Sequence, residues 1–179
     1  MIYLGCLLAV VVLGALLIWA YIQHKGDAVF YAEAEKEPSF EILSRDEKNV
    51  VLATTFPLKN IGKQGGTIMD CILRPLLPYE QYDCIEVRGK MEQADRPRED
   101  DYFEAVIVPR GQQIELKAVL RLTARKGLSL EKALQKMVDV PMDVIYTAVS
   151  RHPWRMVKVR LVLTAEEIAR VMGTAQQAE

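Results

Sequence analysis

Histidine and cysteine are scarce, and neither sign of charge dominates. The chain of 179 residues has two His and three Cys, and its 23 Lys and Arg nearly cancel 24 Asp and Glu. Few cysteines exclude a disulfide-dense miniprotein. Balanced charge excludes a strongly basic nucleic-acid binder, and a 50% hydrophobic content excludes a disordered charged tail. Two histidines leave little material for a triad or an imidazole-rich metal centre. The length suits one domain with a proper core.

The apolar residues are concentrated at the start. Residues 2–22 contain no Asp, Glu, Lys, Arg, His, Asn or Gln. As an α-helix at about 1.5 Å per residue, that run measures roughly 31 Å, the thickness of a bilayer's hydrocarbon core. Trp19 and Tyr21 stand near its end, where amphipathic rings favour the interface, and Gln23, His24 and Lys25 mark the exit into water. A core helix would carry a polar face. A cleaved signal peptide needs basic residues ahead of a shorter apolar stretch and a small-x-small site after it. Here no Lys or Arg precedes the run, and Ile18, Trp19, Tyr21 and Ile22 crowd its end. Ala32-Glu33-Ala34 has the small-x-small form but lies well past the run, and Cys6 precedes most of it, unlike a lipoprotein cysteine. The expectation is a signal-anchor: a single-pass transmembrane helix over residues 1–23, held by membrane lipid through residues 2–22. Lys25 and Lys36 on the far side weakly favour a cytoplasmic location for the remainder, with an extracytoplasmic one left open.

Residues 24–38 read as a polar connector. Beyond it, alternation of period two dominates. Val50, Leu52, Thr54, Phe56 and Leu58 share a face, residues 60–66 form a turn, and a second strand over 67–73 sets Met69, Cys71 and Leu73 together. Pro75 and Pro78 end that strand. A third strand over 82–90 turns Ile85 and Val87 to the core; later Phe103, Ala105 and Ile107 face one way. Residues 113–124 alternate most regularly, with Ile114, Leu116, Ala118, Leu120 and Leu122 on the dry side.

Ser129 is an N-cap for a helix near 129–139, with Leu130, Ala133, Leu134, Met137 and Val138 on one side and Pro141 at its end. Strands follow over 142–150 and 155–163; the latter points Val157, Val159, Leu161 and Leu163 inward and Lys158 and Arg160 outward. Thr164 and Glu167 form a capping box opening a helix over 164–173, with Ile168, Val171 and Met172 on one side; the last residues are expected to fray. About seven short strands separated by turns predict a mainly β fold: an antiparallel immunoglobulin-like β-sandwich over 39–179 with two short helices, preceded by the transmembrane helix.

On the strand at 50–58, the turn Lys59-Asn60-Ile61-Gly62 leading into Gly66-Thr67-Ile68-Met69-Asp70, and the amphipathic strand at 113–123, residues 39–123 resemble the immunoglobulin-like sandwich of the late-embryogenesis-abundant (desiccation-associated) type. The chain departs from that pattern after Thr123 by adding a helix, two strands and a terminal helix. The resemblance implies a membrane-tethered binding or structural module and carries over no catalytic residues.

Chemistry-bearing residues are thinly spread. His24 is at the helix exit, and His152 stands between Arg151 and Pro153 in a turn. No Ser occupies a G-x-S-x-G context, and Cys71 or Cys84 with His152 makes a poorer catalytic pair than Cys71 makes a core residue. Cys71 and Cys84 are free to pair on an oxidising side and remain thiols otherwise. Asp100, Asp101 and Glu104 lack a calcium-loop frame, and Gln64-Gly65-Gly66-Thr67 lacks the lysine of a phosphate loop. Arg151, Arg155, Lys158 and Arg160 around Trp154 are a basic stretch able to touch lipid head groups or nucleic acid; Arg155 should point inward by parity. No catalytic, cofactor or metal site is expected, and no nucleic acid. The reading is a non-enzymatic module holding an unknown protein partner near the membrane, with candidate contacts Lys63, Gln64, Arg98, Asp100, Arg151 and Trp154 in exposed turns. An enzyme of unrecognised type and an envelope structural protein are the alternatives.

Overall fold

The two most regular alternating runs form the two longest strands, and they lie side by side. In the computed structural model, which describes residues 2–36, 39–135 and 137–173, β3 (Asn49–Asn60) and β7 (Gln113–Ala124) pair antiparallel from Asn49 opposite Thr123 to Lys59 opposite Gln113. Val50, Leu52, Thr54, Phe56 and Leu58 are buried from one strand, and Leu116, Ala118, Leu120 and Leu122 from the other. β5 (Ile85–Gln93) adds to the far side of β7. On the near side, β1 (Phe30–Ala32) pairs with the last residues of β3, and β2 (Glu41–Arg45) with its first half. The second sheet runs β6 (Val106–Val108), β4 (Gly66–Pro75), β8 (Val140–Val149), β9 (Arg155–Leu163).

Every pairing is antiparallel, and the inner faces of the two sheets share one core containing Phe56, Ile68, Leu120, Tyr146 and Leu163. Burying each such side chain contributes about 1.5–3 kcal/mol. The chain is therefore mainly β, an antiparallel immunoglobulin-like sandwich with two short helices: α2 (Leu130–Leu134), capped by Ser129, between β7 and β8, and α3 (Ala165–Gly173) after β9. The capping box forms as its spacing requires, with Thr164 N–H donating to Glu167 Oε2 (3.0 Å) and Glu167 N–H to Thr164 Oγ1 (3.2 Å). Ile168 is buried. The side chains of Val171 and Met172, and the residues from 174 expected to fray, lie outside the described residues.

Five local expectations are corrected. In β4, Met69 does not share a face with Cys71 and Leu73. The pairing passes from Met69 opposite Thr147 to Ile72 opposite Ile145, so β4 holds one extra residue at Asp70, whose φ is +52°. That bulge reverses the parity: Ile68 is buried before it, Cys71 and Leu73 after it. Ile107 is 72% exposed because β6 starts only at Val106; the irregular backbone after buried Phe103 resets the alternation. The strand expected at 82–90 is shifted to Ile85–Gln93. The helix expected near 129–139 lasts one turn, and Pro141 is the second residue of β8, near a strand start, where a missing N–H is tolerated. The expected connector is folded: Ala28, Ala32 and Ala34 are buried, β1 lies within it, and a 3-10 turn covers Glu33–Lys36. Glu37 and Pro38 of that stretch lie outside the described residues, as does Lys136 in the stretch expected as helix.

The opening run is α1 (Ile2–Lys25), a helix long and apolar enough to cross a membrane, with no residue of its apolar window buried by the rest of the chain.

Candidate functional site

The end of α1 is bonded to the sandwich, and that junction organises the most featured surface of the molecule. Gly26 has φ +61°, the left-handed turn that closes a helix, and its N–H donates to Gln23 O (3.3 Å). Asp27 then receives the turn between β8 and β9. Its Oδ1 accepts from Ala28 N–H (2.8 Å) and Arg151 N–H (3.2 Å), and its Oδ2 from His152 N–H (3.3 Å). Burial pushes this carboxyl upward, but the hydrogen bonds from the Ser150 side chain and these three N–H groups outweigh it and hold the pKa at about 2.

The turn between β3 and β4 docks on the same segment from the other side. Lys63 N–H donates to Asp27 O (2.9 Å) and Ile61 N–H to Val29 O (2.8 Å). Gly62 sits so close that a Cβ there would lie 2.4 Å from both Asp27 O and Val29 N, so only glycine fits. Asn60, 1% exposed, joins four segments. Its amide donates to Gln64 O (2.8 Å) and Val108 O (3.0 Å), and its Oδ1 accepts from Gly62 N–H (3.0 Å) and Val29 N–H (3.3 Å). Gln64 Nε2 reaches Lys25 O (3.1 Å) and Lys63 Nζ reaches His24 O (3.4 Å), so this turn grips the last helical residues directly. Ser150 Oγ, whose one proton is shared between the Asp27 carboxylate and Gly65 O (3.2 Å), brings the two turns together.

Four of the six candidate contacts are therefore gathered here: Lys63, Gln64, Arg151 and Trp154, the last 67% exposed. Beside Trp154, an open shelf of about 740 Å³ is lined by Met69, Asp70, Thr147 and Pro153. The other two candidates are elsewhere. Arg98 and Asp100 bind each other (Nε–Oδ1 2.7 Å, Nη2–Oδ2 2.8 Å) in a loop joining β5 to β6, which are the edges of their sheets. Arg98 also bonds Glu104 (3.4 Å) and stacks on Tyr102, and its guanidinium holds the Asp100 carboxyl below the usual range. Asp100 and Glu104 are thus committed to an arginine rather than gathered for a cation.

The basic stretch is also divided. Arg155 keeps the inward parity but stands at the open rim, donating from Nη2 to Ala28 O (3.2 Å). Arg160 and Lys158 both turn to Asp143 on β8, at 2.7 and 3.5 Å, and offset its burial. Arg151, Trp154 and Arg155 of that stretch border the junction, and Lys158 and Arg160 do not.

Cys71 and His152 are not brought together. Cys71 is buried between the sheets, and desolvation pushes its thiol up to about 12, the opposite of a nucleophile's requirement. His152 lies at the surface, its Nε2 3.7 Å from Asp27 Oδ2. Cys71 and Cys84 are both free thiols, and Cys84 Sγ contacts Ala133 O at 3.8 Å. Among the described residues no three His, Cys, Asp or Glu converge as metal ligands do. The carboxyls of Asp27, Asp46, Asp100 and Asp143 are all held below their ordinary range by hydrogen bonds or neighbouring cations, which keeps them ionised.

No family model and no curated protein matches this chain. The desiccation-associated resemblance therefore has no support from a family model, and the sandwich itself is what the structure carries. Among solved structures, the GAE domain of yeast GGA1 is similar at 9% identity, with a TM-score of 0.35 over 69% of this chain and 87% of that one. The GAE domain of GGA2p from Saccharomyces cerevisiae gives 9% identity and 0.34 over 70% and 87%. Likeness this distant assigns nothing to the chain.

In the sequence Asn60 and Gly62 read only as turn residues, and Asp27 only as part of the connector. The local signals are a glycine after the apolar run and an Asn-x-Gly turn; the partners that make the junction, Val29 and Val108 for Asn60 and Arg151 for Asp27, lie 31, 48 and 124 residues away.

Proposed function

We propose that the chain is a single-pass membrane protein whose sandwich is a non-catalytic module holding a protein partner close to the bilayer, within the scheme of a desiccation-associated-type sandwich on an anchor. The carrying observation is α1: an apolar helix left wholly uncovered by its own domain needs another apolar surrounding, and lipid supplies one. Support for a protein partner comes from β9, which ends the second sheet without a further strand among the described residues and exposes Met156 (66%) and Val162. An edge of nine residues offers unpaired backbone groups to an added strand. The test places a photo-crosslinking residue at Met156, at Val162, or at exposed Glu131 beyond β7 as a control, in the full chain in its native membrane. A discrete adduct of one mass from 156 and 162 but not from 131 is expected. Equal diffuse labelling at all three refutes the partner-holding reading.

A further inference from the structure

We propose that the junction end of the sandwich docks on anionic lipid head groups of the bilayer that α1 enters. This rests on the reading of α1 as a membrane span. The two turns bonded to residues 24–27 cannot lie far from the head groups if α1 ends there, because Gln64 and Lys63 hold Lys25 O and His24 O directly. The head-group layer is about 5–8 Å deep on each side, comparable with the reach of a lysine or arginine side chain.

The chemistry of that end fits an anionic interface. Lys25, Lys63, Arg110 and Arg151 are all exposed around it; Arg110 is placed there by the Gly111 N–H bond to Asn60 O (3.0 Å). Of the two acids nearest these turns, Asp27 is occupied by the N–H groups of Ala28, Arg151 and His152, and exposed Asp70 lies on the shelf beside Trp154. Ile61 (64% exposed) and Trp154 project from the same two turns. An aliphatic and an indole side chain beside four cations is the composition that partitions into a head-group layer. The acid-rich 95–104 loop leaves β5 where Ala94 N–H bonds Glu115 O and returns to β6 just before Val108, so it lies at the same end of the sandwich but to one side, three strands (roughly 14 Å) across the sheet from β1. The turns nearest α1 are therefore the basic and apolar ones, and the acidic loop lies at the periphery of that end.

Two single-tryptophan forms of the full chain test this in lipid nanodiscs. Trp154→Phe leaves Trp19, and Trp19→Phe leaves Trp154 as the reporter. In discs of phosphatidylcholine with about a third phosphatidylglycerol, Trp19 should be quenched by acyl-chain-brominated lipid and Trp154 by a spin-labelled head group. Trp154 quenching should fall in pure phosphatidylcholine and in 0.5 M salt. Lys63→Gln, Arg110→Gln and Arg151→Gln together should abolish it, since each surface charge is worth about fivefold in lipid affinity and three about a hundredfold. Trp19 quenched with Trp154 unquenched overturns docking and leaves the anchor standing. Neither quenched overturns the anchor and docking with it. Trp154 quenched equally in both lipid compositions overturns the anionic preference, and Trp154 shielded only in native membranes assigns the surface to a protein instead.

Discussion

Replacing Asn60 by alanine should loosen the whole junction, and the cost follows from its four hydrogen bonds. A typical buried hydrogen bond contributes about 1 kcal/mol net, and an orphaned buried group costs about 1–3 kcal/mol. Val108 O is fully buried and would lose its Asn60 partner; Gln64 O, Gly62 N–H and Val29 N–H lie where water partly compensates, and the Val29 bond is already long at 3.3 Å. The sum is about 3 kcal/mol. For a folded unit of this size, 1 kcal/mol lowers Tm by about 2–4 °C, so a drop of about 6–12 °C is expected. Far-UV circular dichroism of the full chain in detergent would follow the β signal. Ile61→Ala, one residue on and exposed, is the control and should shift Tm by less than about 2 °C. Asn60→Asp keeps the acceptor but points a carboxyl at two carbonyl oxygens. Its folded pKa would rise, so its defect should deepen as pH climbs past the unfolded carboxyl value. An Asn60→Ala chain melting within 2 °C of wild type would refute the idea that this amide holds the junction.

Three other outcomes are expected. Because Asp27 is held at about 2, below its ordinary 3.8, its contribution is intact above about pH 4 and is lost as pH falls from there through 2; hydrogen exchange should show the Arg151 and His152 amides losing protection over that window in wild type but not in Asp27→Asn. Tyr146 is buried, and its hydroxyl has no hydrogen-bond partner among the described residues, so Tyr146→Phe should leave the core intact and be neutral or stabilising by up to about 1 kcal/mol; a loss above that in denaturant unfolding would mean the hydroxyl is partnered. Cys71 should resist iodoacetamide at pH 8 until the chain is unfolded, because its thiol is buried and pushed up to about 12; rapid labelling of the native chain would contradict that burial.

Much of the fold was legible because its long strands bury one face and wet the other. In β3 and β7 that requirement writes itself into alternate residues, from Val50 to Leu58 and from Leu116 to Leu122, and the structure places both strands where the pattern puts them. The Ser129 cap and the Thr164–Glu167 box were legible for a related reason: their partners lie within four residues. Parity failed where one residue is inserted, at Asp70, or where a strand starts later than its apolar residues suggest, at Val106. The stretch from 26 to 36 looked like a linker because its polar side chains hide how small residues such as Ala28 and Ala32 pack beneath them.

The sequence alone determined the uncharged opening helix, the β class and most inward-facing residues, since each is a matter of local spacing and transfer free energy. Only the tertiary structure decided which exposed turns share a surface. Lys63 and Arg151 meet because Asp27 binds both turns, whereas Arg98 and Asp100 bind each other at the opposite edge. Hydrogen bonds spanning 31, 48 and 124 positions leave no periodic trace, so the junction that ties helix to sandwich becomes visible only after the chain has folded.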